Sequence, residues 1–309
     1  MRRRSFMAGA LVLGGLPLAH GDEAIQSQTT QVRVADGVTL ATKATGQPQL
    51  GTILLAMGST ASMVWWPEGM VTGLAEAGYR VIQFDHRDTG QSTTNAPGDL
   101  QYDIFDLAAD LIAILDAYEV EAAHLVGMSL GGYVAQIAAL THRERVLSLT
   151  LIASEPLGMP YQGEGIDPRF MDHFATMAEL DWSDHAAVGQ FMLRVAELSA
   201  GSAVPFDREA AQRRIERELH RTSSMQSAFN HAMVTGDLEP HLNASNLDLP
   251  VLLIHGSEDP IISVAAAHAS ATAITGSQLL LLDRRGHELL EQDIPSVVEV
   301  ILSLAGRSK

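Results

Sequence analysis

The apolar residues of this chain follow two alternating periods from about residue 30 to the C-terminus. Six short apolar runs are each typical of a buried β-strand, at residues 52–57, 80–84, 123–126, 146–153, 251–254 and 279–282. Segments with helical spacing follow most of these runs, at residues 67–77, 102–118, 133–140, 264–273 and 295–304. Strands and helices that alternate in this way predict an α/β protein, with a mostly parallel sheet covered by helices on both faces.

Residues 31–41, which precede these runs, have a different pattern. Residues 31–34 and 38–41 alternate between apolar and polar, and the turn residues Asp36 and Gly37 lie between them. This pattern predicts an antiparallel hairpin at the edge of the sheet.

The alternation of strands and helices stops between residues 155 and 248. This segment has helical spacing and no clear strand, so it predicts a helical cap inserted into a core formed by residues 30–154 and 249–305. Its apolar residues include many methionines and phenylalanines. Most of them are expected to form the core of the cap, although their excess also suits a pocket that adapts to an apolar ligand.

A candidate nucleophile lies at the junction of one strand and the next helix. Residues 127–131 read Gly-Met-Ser-Leu-Gly, which places Ser129 between two glycines. This arrangement is typical of a nucleophile elbow, a tight turn that lifts a serine hydroxyl clear of the sheet at a helix N-terminus. A Gly/Ser turn with no chemical role is the alternative.

A serine nucleophile needs a base and an acid that orients the base. The apolar run 251–254 leads into a loop that carries Glu258 and Asp259. Asp259 is the preferred acid, because it lies just before Pro260 in the loop. Glu258 and Glu155, which follows the preceding strand, remain alternatives.

The candidate base is His287, one of twelve histidines in the chain. The apolar run 279–282 is predicted to be the next buried strand, and His287 follows it directly after Gly286. This position places the imidazole at the carboxyl edge of the sheet, above the elbow.

Two backbone N–H groups are expected to stabilise a tetrahedral intermediate. One is that of Leu130, the residue after the nucleophile. The other is that of Ser59, in the loop after strand 52–57, where Gly58 permits a close approach of the backbone.

Composition excludes several classes of function. The chain has 309 residues, 46% of them hydrophobic, and a net charge of −17. The acidic surface and the lack of a basic strip argue against nucleic acid and stable membrane insertion. There are no cysteines and no glycine-rich dinucleotide or phosphate loop, so no cofactor and no metal are predicted. The predicted partner is a small apolar ester, and the sequence does not predict the oligomeric state.

The N-terminal residues 1–21 resemble a twin-arginine export signal. Three arginines precede Ser5 and Phe6, and an apolar stretch too short to span a bilayer follows. Small residues near position 21 suit cleavage by a signal peptidase. The pattern predicts an exported, periplasmic or extracellular protein; the alternatives are a cytoplasmic protein and a start codon placed too far upstream.

With an elbow, an acid, a base and a cap, the chain resembles an α/β-hydrolase. Residues 84–92, Phe-Asp-His-Arg-Asp-Thr-Gly-Gln-Ser, are similar to the corresponding loop of the aclacinomycin methylesterase-like group. Met57-Gly58, Trp66-Pro67 and residues 204–207 fit the same group. The resemblance implies a catalytic triad of Ser129, Asp259 and His287.

These residues together predict a serine esterase that forms an acyl-enzyme. The resemblance implies that its substrate is a methyl ester, or another small-alcohol ester, of an apolar acid. Three alternatives remain: an acyltransferase or perhydrolase with the same triad, a hydrolase of lactone or carbon–carbon bonds, and a non-catalytic ligand-binding protein. The charged residues Asp85, Arg87 and Asp88 are expected to form structural ion pairs and hydrogen bonds.

Overall fold

The computed structural model describes residues 29–307, which form one eight-stranded sheet. The predicted export signal, residues 1–21, lies outside the described residues. The strands are β1 (Thr30–Ala35), β2 (Val38–Thr45), β3 (Gly51–Ala56), β4 (Tyr79–Phe84), β5 (Ala123–Met128), β6 (Val146–Ile152), β7 (Val251–Gly256) and β8 (Gln278–Leu282). Their order across the sheet is β1-β2-β4-β3-β5-β6-β7-β8, and β2 is antiparallel to both of its neighbours. All other pairs are parallel, so the predicted hairpin and parallel sheet are confirmed.

The helices of the described chain are α1 (Glu68–Glu76), α2 (Ile104–Ala117), α3 (Leu130–Thr141), α4 (Pro168–Ala175), α5 (His185–Ser199), α6 (Arg208–Arg221), α7 (Met225–Ala228), α8 (Val264–Ala273) and α9 (Ile294–Arg307). Those outside residues 155–248 cover both faces of the sheet. Within the described residues, every helix is too short or too polar to cross a lipid bilayer.

The central strand β3 shows why the core has two halves. Ile53 and Leu55 pack into a cluster with side chains of α1 and α9, whereas Leu54 and Ala56 pack into a cluster with α2 and α3. Side chains of a strand point alternately to opposite faces, so an uninterrupted apolar run serves both halves. This is the reason that the parallel strands read as continuous apolar segments.

One sequence prediction about the strands is wrong. The apolar run at 279–282 does form a strand, β8, but it is not buried, because β8 lies at the edge of the sheet and Leu281 is 40% exposed. A run of leucines indicates a strand without indicating whether another strand will flank it.

The segment predicted to form the cap contains helices α4 to α7, and within the described chain it has no strand. Its helices enclose an apolar cluster of their own around Phe191, Met192 and Ile215. The cap is anchored to the core by α6, because Arg221 forms a 2.8 Å ion pair with buried Asp85, and Glu218 accepts a 2.6 Å hydrogen bond from Ser62.

The loop after β4 contains the charged residues for which structural roles were expected. Arg87 forms two hydrogen bonds of 2.8 Å with Asp110 on α2, and both side chains are buried. Asp88 accepts hydrogen bonds of 2.9 Å from Tyr102 and from Asn230 of the cap. These contacts agree with the expectation, since every charge in the loop has a structural partner.

We predict that Asp110→Ala lowers the free energy of unfolding by about 3–5 kcal/mol, because it leaves the Arg87 guanidinium buried without a counter-ion. The double variant Arg87→Met/Asp110→Leu removes both charges and should recover most of this loss. Urea unfolding measures both variants. A loss below about 1 kcal/mol for the single variant would show that the pair is not effectively buried.

Candidate active site

Ser129 lies in the turn between β5 and α3, with φ 52° and ψ −119°. A positive φ is rare for a residue with a side chain, and it persists only where the surroundings impose it. The amide of Ser129 donates a 2.9 Å hydrogen bond to the Ile152 carbonyl at the end of β6, which ties the turn to the neighbouring strand. The geometry is that of a nucleophile elbow.

The two flanking glycines are required by close packing. A Cβ at Gly127 would overlap the backbone of Gly131 and Gly132, and a Cβ at Gly131 would overlap the carbonyls of Ala56 and Met57. The helix α3 therefore begins in direct backbone contact with the end of β3. This contact places Ser129 beside the loop that follows β3.

Asp259 and His287 meet although they lie on different loops. Asp259 follows β7, His287 follows β8, and the Asp259 Oδ2 to His287 Nδ1 distance is 2.7 Å. The other carboxylate oxygen accepts 2.9 Å hydrogen bonds from the Ile261 and Ile262 amides. With Nδ1 held as the donor, Nε2 of neutral His287 is left as the acceptor.

The environment keeps Asp259 ionised. Burial would raise its pKa, but the charge and hydrogen bond of His287, with His255 and the Ile262 amide, outweigh burial and hold the pKa below its usual value. His255 Nε2 lies 3.5 Å from the same carboxylate and also contacts the Ile262 carbonyl at 2.8 Å.

The two alternative acids have other partners. Glu258 is bonded to the amide and hydroxyl of Ser202, at 2.8 and 2.9 Å. Glu155 accepts a 2.7 Å hydrogen bond from the Tyr161 hydroxyl. The geometry therefore pairs His287 with Asp259.

Ser129 and His287 line one cavity of about 450 Å³ between the sheet and the cap. Within residues 29–307, no hydrogen bond joins Ser129 Oγ to His287 Nε2. In substrate-free enzymes such contacts are often long and shorten when substrate binds. A second, more polar cleft of about 450 Å³ also reaches Ser129 and Ser59 from the side of Tyr133 and Glu155.

The cap supplies most of the apolar wall of the first cavity. Five phenylalanines and methionines of the cap line it: Phe170, Phe174, Met177, Met192 and Phe229. Others, such as Phe191 and Met225, belong to the apolar cluster of the cap. Some of these residues therefore form the core of the cap, as predicted, and others line the cavity.

The backbone N–H groups of Ser59 and Leu130 have no hydrogen-bond acceptor within the described chain. A Cβ at Gly58 would lie 3.2 Å from the Ser129 Cβ, so the loop after β3 passes directly beside the serine. Unpaired N–H groups next to a serine are the arrangement that an oxyanion hole needs.

Two buried histidines that sequence reasoning missed hold this loop. His86 Nε2 donates a 3.0 Å hydrogen bond to the Met57 carbonyl. His231 Nδ1 accepts a 3.1 Å hydrogen bond from the Thr60 amide, and its Nε2 donates at 2.8 Å to the Arg87 carbonyl. The sequence signal for His86 is its place within the motif 84–92; His231 has no comparable signal.

Comparison with known proteins places the chain in a family. The family described as alpha/beta hydrolase fold matches residues 51–294. The chain belongs to the α/β-hydrolase family.

Among sequence relatives, this hydrolase is similar to two rhodomycin D methylesterases. DauP of Streptomyces sp. (strain C5) and DnrP of Streptomyces peucetius are each 30% identical over 279 residues, covering 84% of this chain and 92% of theirs. The predicted resemblance to the aclacinomycin methylesterase-like group is thereby confirmed, and so is the prediction of a carboxylic ester hydrolase.

Among solved structures, the hydrolase resembles the esterase RhEst1 from Rhodococcus sp. ECU1013, with a TM-score of 0.74 and 22% identity over 91% of this chain and 99% of that one. The esterase EaEST from Exiguobacterium antarcticum gives a TM-score of 0.73 at 20% identity, covering 90% of this chain and 100% of that one. These similarities confirm the fold.

We predict that His86 makes the stability of the hydrolase depend on pH. Burial, with the nearby His231, lowers the pKa of His86 to about 3, whereas the unfolded chain has a histidine pKa of about 6.5. The unfolded state therefore binds the proton first, and the stabilisation present above pH 6.5 is lost as the pH falls toward 3. Relative to His86→Gln, the wild type should lose about 1.4 kcal/mol between pH 8 and pH 5.5.

Urea unfolding of both proteins at pH 8, 7, 6 and 5.5 measures this difference. Parallel stability curves for wild type and His86→Gln would contradict this prediction, because they would show that His86 has the same pKa in the folded and unfolded states.

Proposed function

We propose that the chain is a serine hydrolase that cleaves a methyl ester, or another small-alcohol ester, of an apolar acid through an acyl-enzyme. The observation that carries the proposal is the position of Ser129 in a strained turn, in the same cavity as a His287 that is paired with Asp259. The methylesterases among the relatives support ester hydrolysis with a small leaving alcohol.

In the proposed reaction, Ser129 Oγ attacks the ester carbonyl while His287 Nε2 accepts its proton. Asp259 orients the imidazole and stabilises the imidazolium that forms. His287 then donates this proton to the leaving alkoxide, which departs as the alcohol. Water, deprotonated by His287, attacks the acyl-enzyme, and the acid leaves as Ser129 recovers its proton.

The negative oxygen of both tetrahedral intermediates is proposed to lie between the Ser59 and Leu130 N–H groups. These donors are already fixed before substrate binds, because the turn at Ser129 and the loop after β3 pack together. Donors that need no rearrangement lower the energy of the developing charge most effectively.

The two spaces that meet at Ser129 suggest how the ester lies. The cavity under the cap is mostly apolar and suits the acid, whereas the more polar cleft beside Tyr133 and Glu155 suits the alcohol and the attacking water. This division agrees with an apolar acid and a small alcohol.

We predict that Ser129→Ala lowers kcat for a short-chain p-nitrophenyl ester by about 1,000-fold or more, because no other group can form the acyl-enzyme. A fluorophosphonate should label the wild type on the peptide that contains Ser129 and should leave the variant unlabelled. Unfolding curves of the two proteins should coincide, since the change removes one hydroxyl.

Ester cleavage that survives in Ser129→Ala, or a label on another residue, would contradict the mechanism. Comparison of products formed in water, in methanol and in hydrogen peroxide separates hydrolysis from acyl transfer and perhydrolysis.

We predict that Ser59→Pro lowers kcat by about 100- to 1,000-fold, because proline removes one of the two oxyanion donors. Ser59→Ala is the matched control, since it removes the hydroxyl and retains the backbone N–H. Steady-state kinetics on one p-nitrophenyl ester compares the two. Equal losses in both variants would show that the side chain of residue 59, and not its N–H group, matters.

A further inference from the structure

Arg214 is the one arginine in the described chain that lines the mostly apolar cavity under the cap, and Glu288 is the one carboxylate in the same lining. Arg214 lies on α6, and its guanidinium carbon is 4.6 Å from the centre of the Trp65 ring. Trp65 lines the same cavity and follows the loop that carries Ser59. A permanent positive charge therefore lies in the wall of the space that also holds Ser129 and His287.

The donors of Arg214 are unused. A guanidinium carries five N–H donors, and within residues 29–307 none of those of Arg214 has a hydrogen-bond acceptor or a carboxylate at ion-pairing distance. Its Nε is sealed from solvent, as is the indole Nε1 of Trp65, which also has no acceptor. By contrast, Arg87 and Arg221 are both paired with buried aspartates.

The surroundings leave this charge only partly balanced. Burial and the neighbouring Arg217 lower the pKa of Arg214, whereas the charges of Glu288, in the same cavity lining, and of Glu291 oppose this without forming an ion pair with it. Glu288 accepts a 3.2 Å hydrogen bond from the Gly201 amide, and burial raises the pKa of its carboxyl group. A guanidinium stays protonated in any such environment, so the cavity retains a cation that lacks a direct partner.

We propose that Arg214 binds a carboxylate carried by the substrate at a distance from the scissile ester. The substrate class is then a half-ester, an apolar acid with one esterified and one free carboxyl group. This inference rests on the proposed ester hydrolysis and specifies which esters the same site prefers.

Physical chemistry favours a carboxylate in this position. The planar guanidinium can donate two parallel hydrogen bonds to a carboxylate, and such charge-assisted bonds are about twice as strong as those between neutral groups. The chain as a whole has a net charge of −17 and repels anions, so an anionic group needs a specific cation to enter. The same carboxylate elsewhere on the apolar wall would be buried without a partner.

The test compares matched pairs of methyl esters. In each pair the terminal methyl group of one ester is replaced by a carboxylate in the other: methyl hexanoate and monomethyl hexanedioate, methyl octanoate and monomethyl octanedioate, methyl decanoate and monomethyl decanedioate. For wild type and variants, kcat and KM give the ratio of kcat/KM for the charged ester to that for the neutral ester.

We predict that Arg214→Met lowers this ratio by about 10- to 100-fold for at least one chain length, mainly through KM, because the carboxylate loses a charge-assisted hydrogen bond. Arg214→Lys keeps the charge without the planar fork and should give an intermediate ratio. Arg217→Met is the matched control, since Arg217 lies on the same helix but is exposed, and it should leave the ratio unchanged.

A ratio that is the same in wild type and Arg214→Met at every chain length would overturn the inference. So would an equal change in Arg217→Met, because it would show a general effect of charge. Unfolding curves show whether the variants are folded. A partial loss of active protein does not change the ratio, because both esters of a pair are measured on the same protein.

Binding separates this inference from the proposed reaction. Calorimetric titration of Ser129→Ala with the half-esters needs no turnover, and addition of Arg214→Met to that variant should weaken binding by about the same 10- to 100-fold. If Ser129→Ala still cleaves esters but Arg214→Met weakens the binding of half-esters, the proposed mechanism fails and the Arg214 site stands. If Ser129→Ala is inactive and Arg214→Met has no effect on binding, only the Arg214 site fails.

Discussion

The candidate site depends on one close contact, between the turn that holds Ser129 and the end of strand β3. Gly131 packs against the carbonyls of Ala56 and Met57, where no side chain fits. Because the backbones touch, the strained φ of Ser129 is imposed by packing and does not depend on a flexible loop. The same contact brings the loop that carries Ser59 and the start of α3 at Leu130 beside Ser129, so one steric constraint positions the proposed nucleophile and both proposed oxyanion donors.

The loop after β3, beside Ser129, is held by buried polar groups of both the core and the cap segment. His86 of the core bonds to Met57, and His231 of the cap segment bonds to Thr60. Further along the same loop, Ser62 bonds to Glu218 of the cap helix α6. Buried hydrogen bonds of this kind have few alternative partners, so a shift of the cap would break them. The cap therefore helps to fix the position of the loop beside Ser129 as well as to cover the cavity.

Much of this site could be predicted from sequence, because its signals are local. Ser129 lies between glycines at a strand–helix junction, and His287 follows a strand. The position of Asp259 just before Pro260 favoured it over Glu258 as the acid, but only the structure shows which of these two adjacent side chains faces His287. Sequence could not find His231, because its partner Thr60 is 171 residues away and the contact exists only after the cap has folded onto the core.

Helix α6 would link the proposed substrate binding to the proposed catalysis. Residues 214, 218 and 221 have spacings of four and three, which place them along one face of the helix. Glu218 and Arg221 bind Ser62 and Asp85 of the core, and Arg214 lies in the cavity wall. Since a helix moves as a rigid unit, the Arg214 guanidinium and the Glu218 contact with Ser62 cannot shift independently. A substrate that pulls on Arg214 would therefore act directly on the loop that carries Ser59, so recognition at one end of the cavity would bear on the donors at the other.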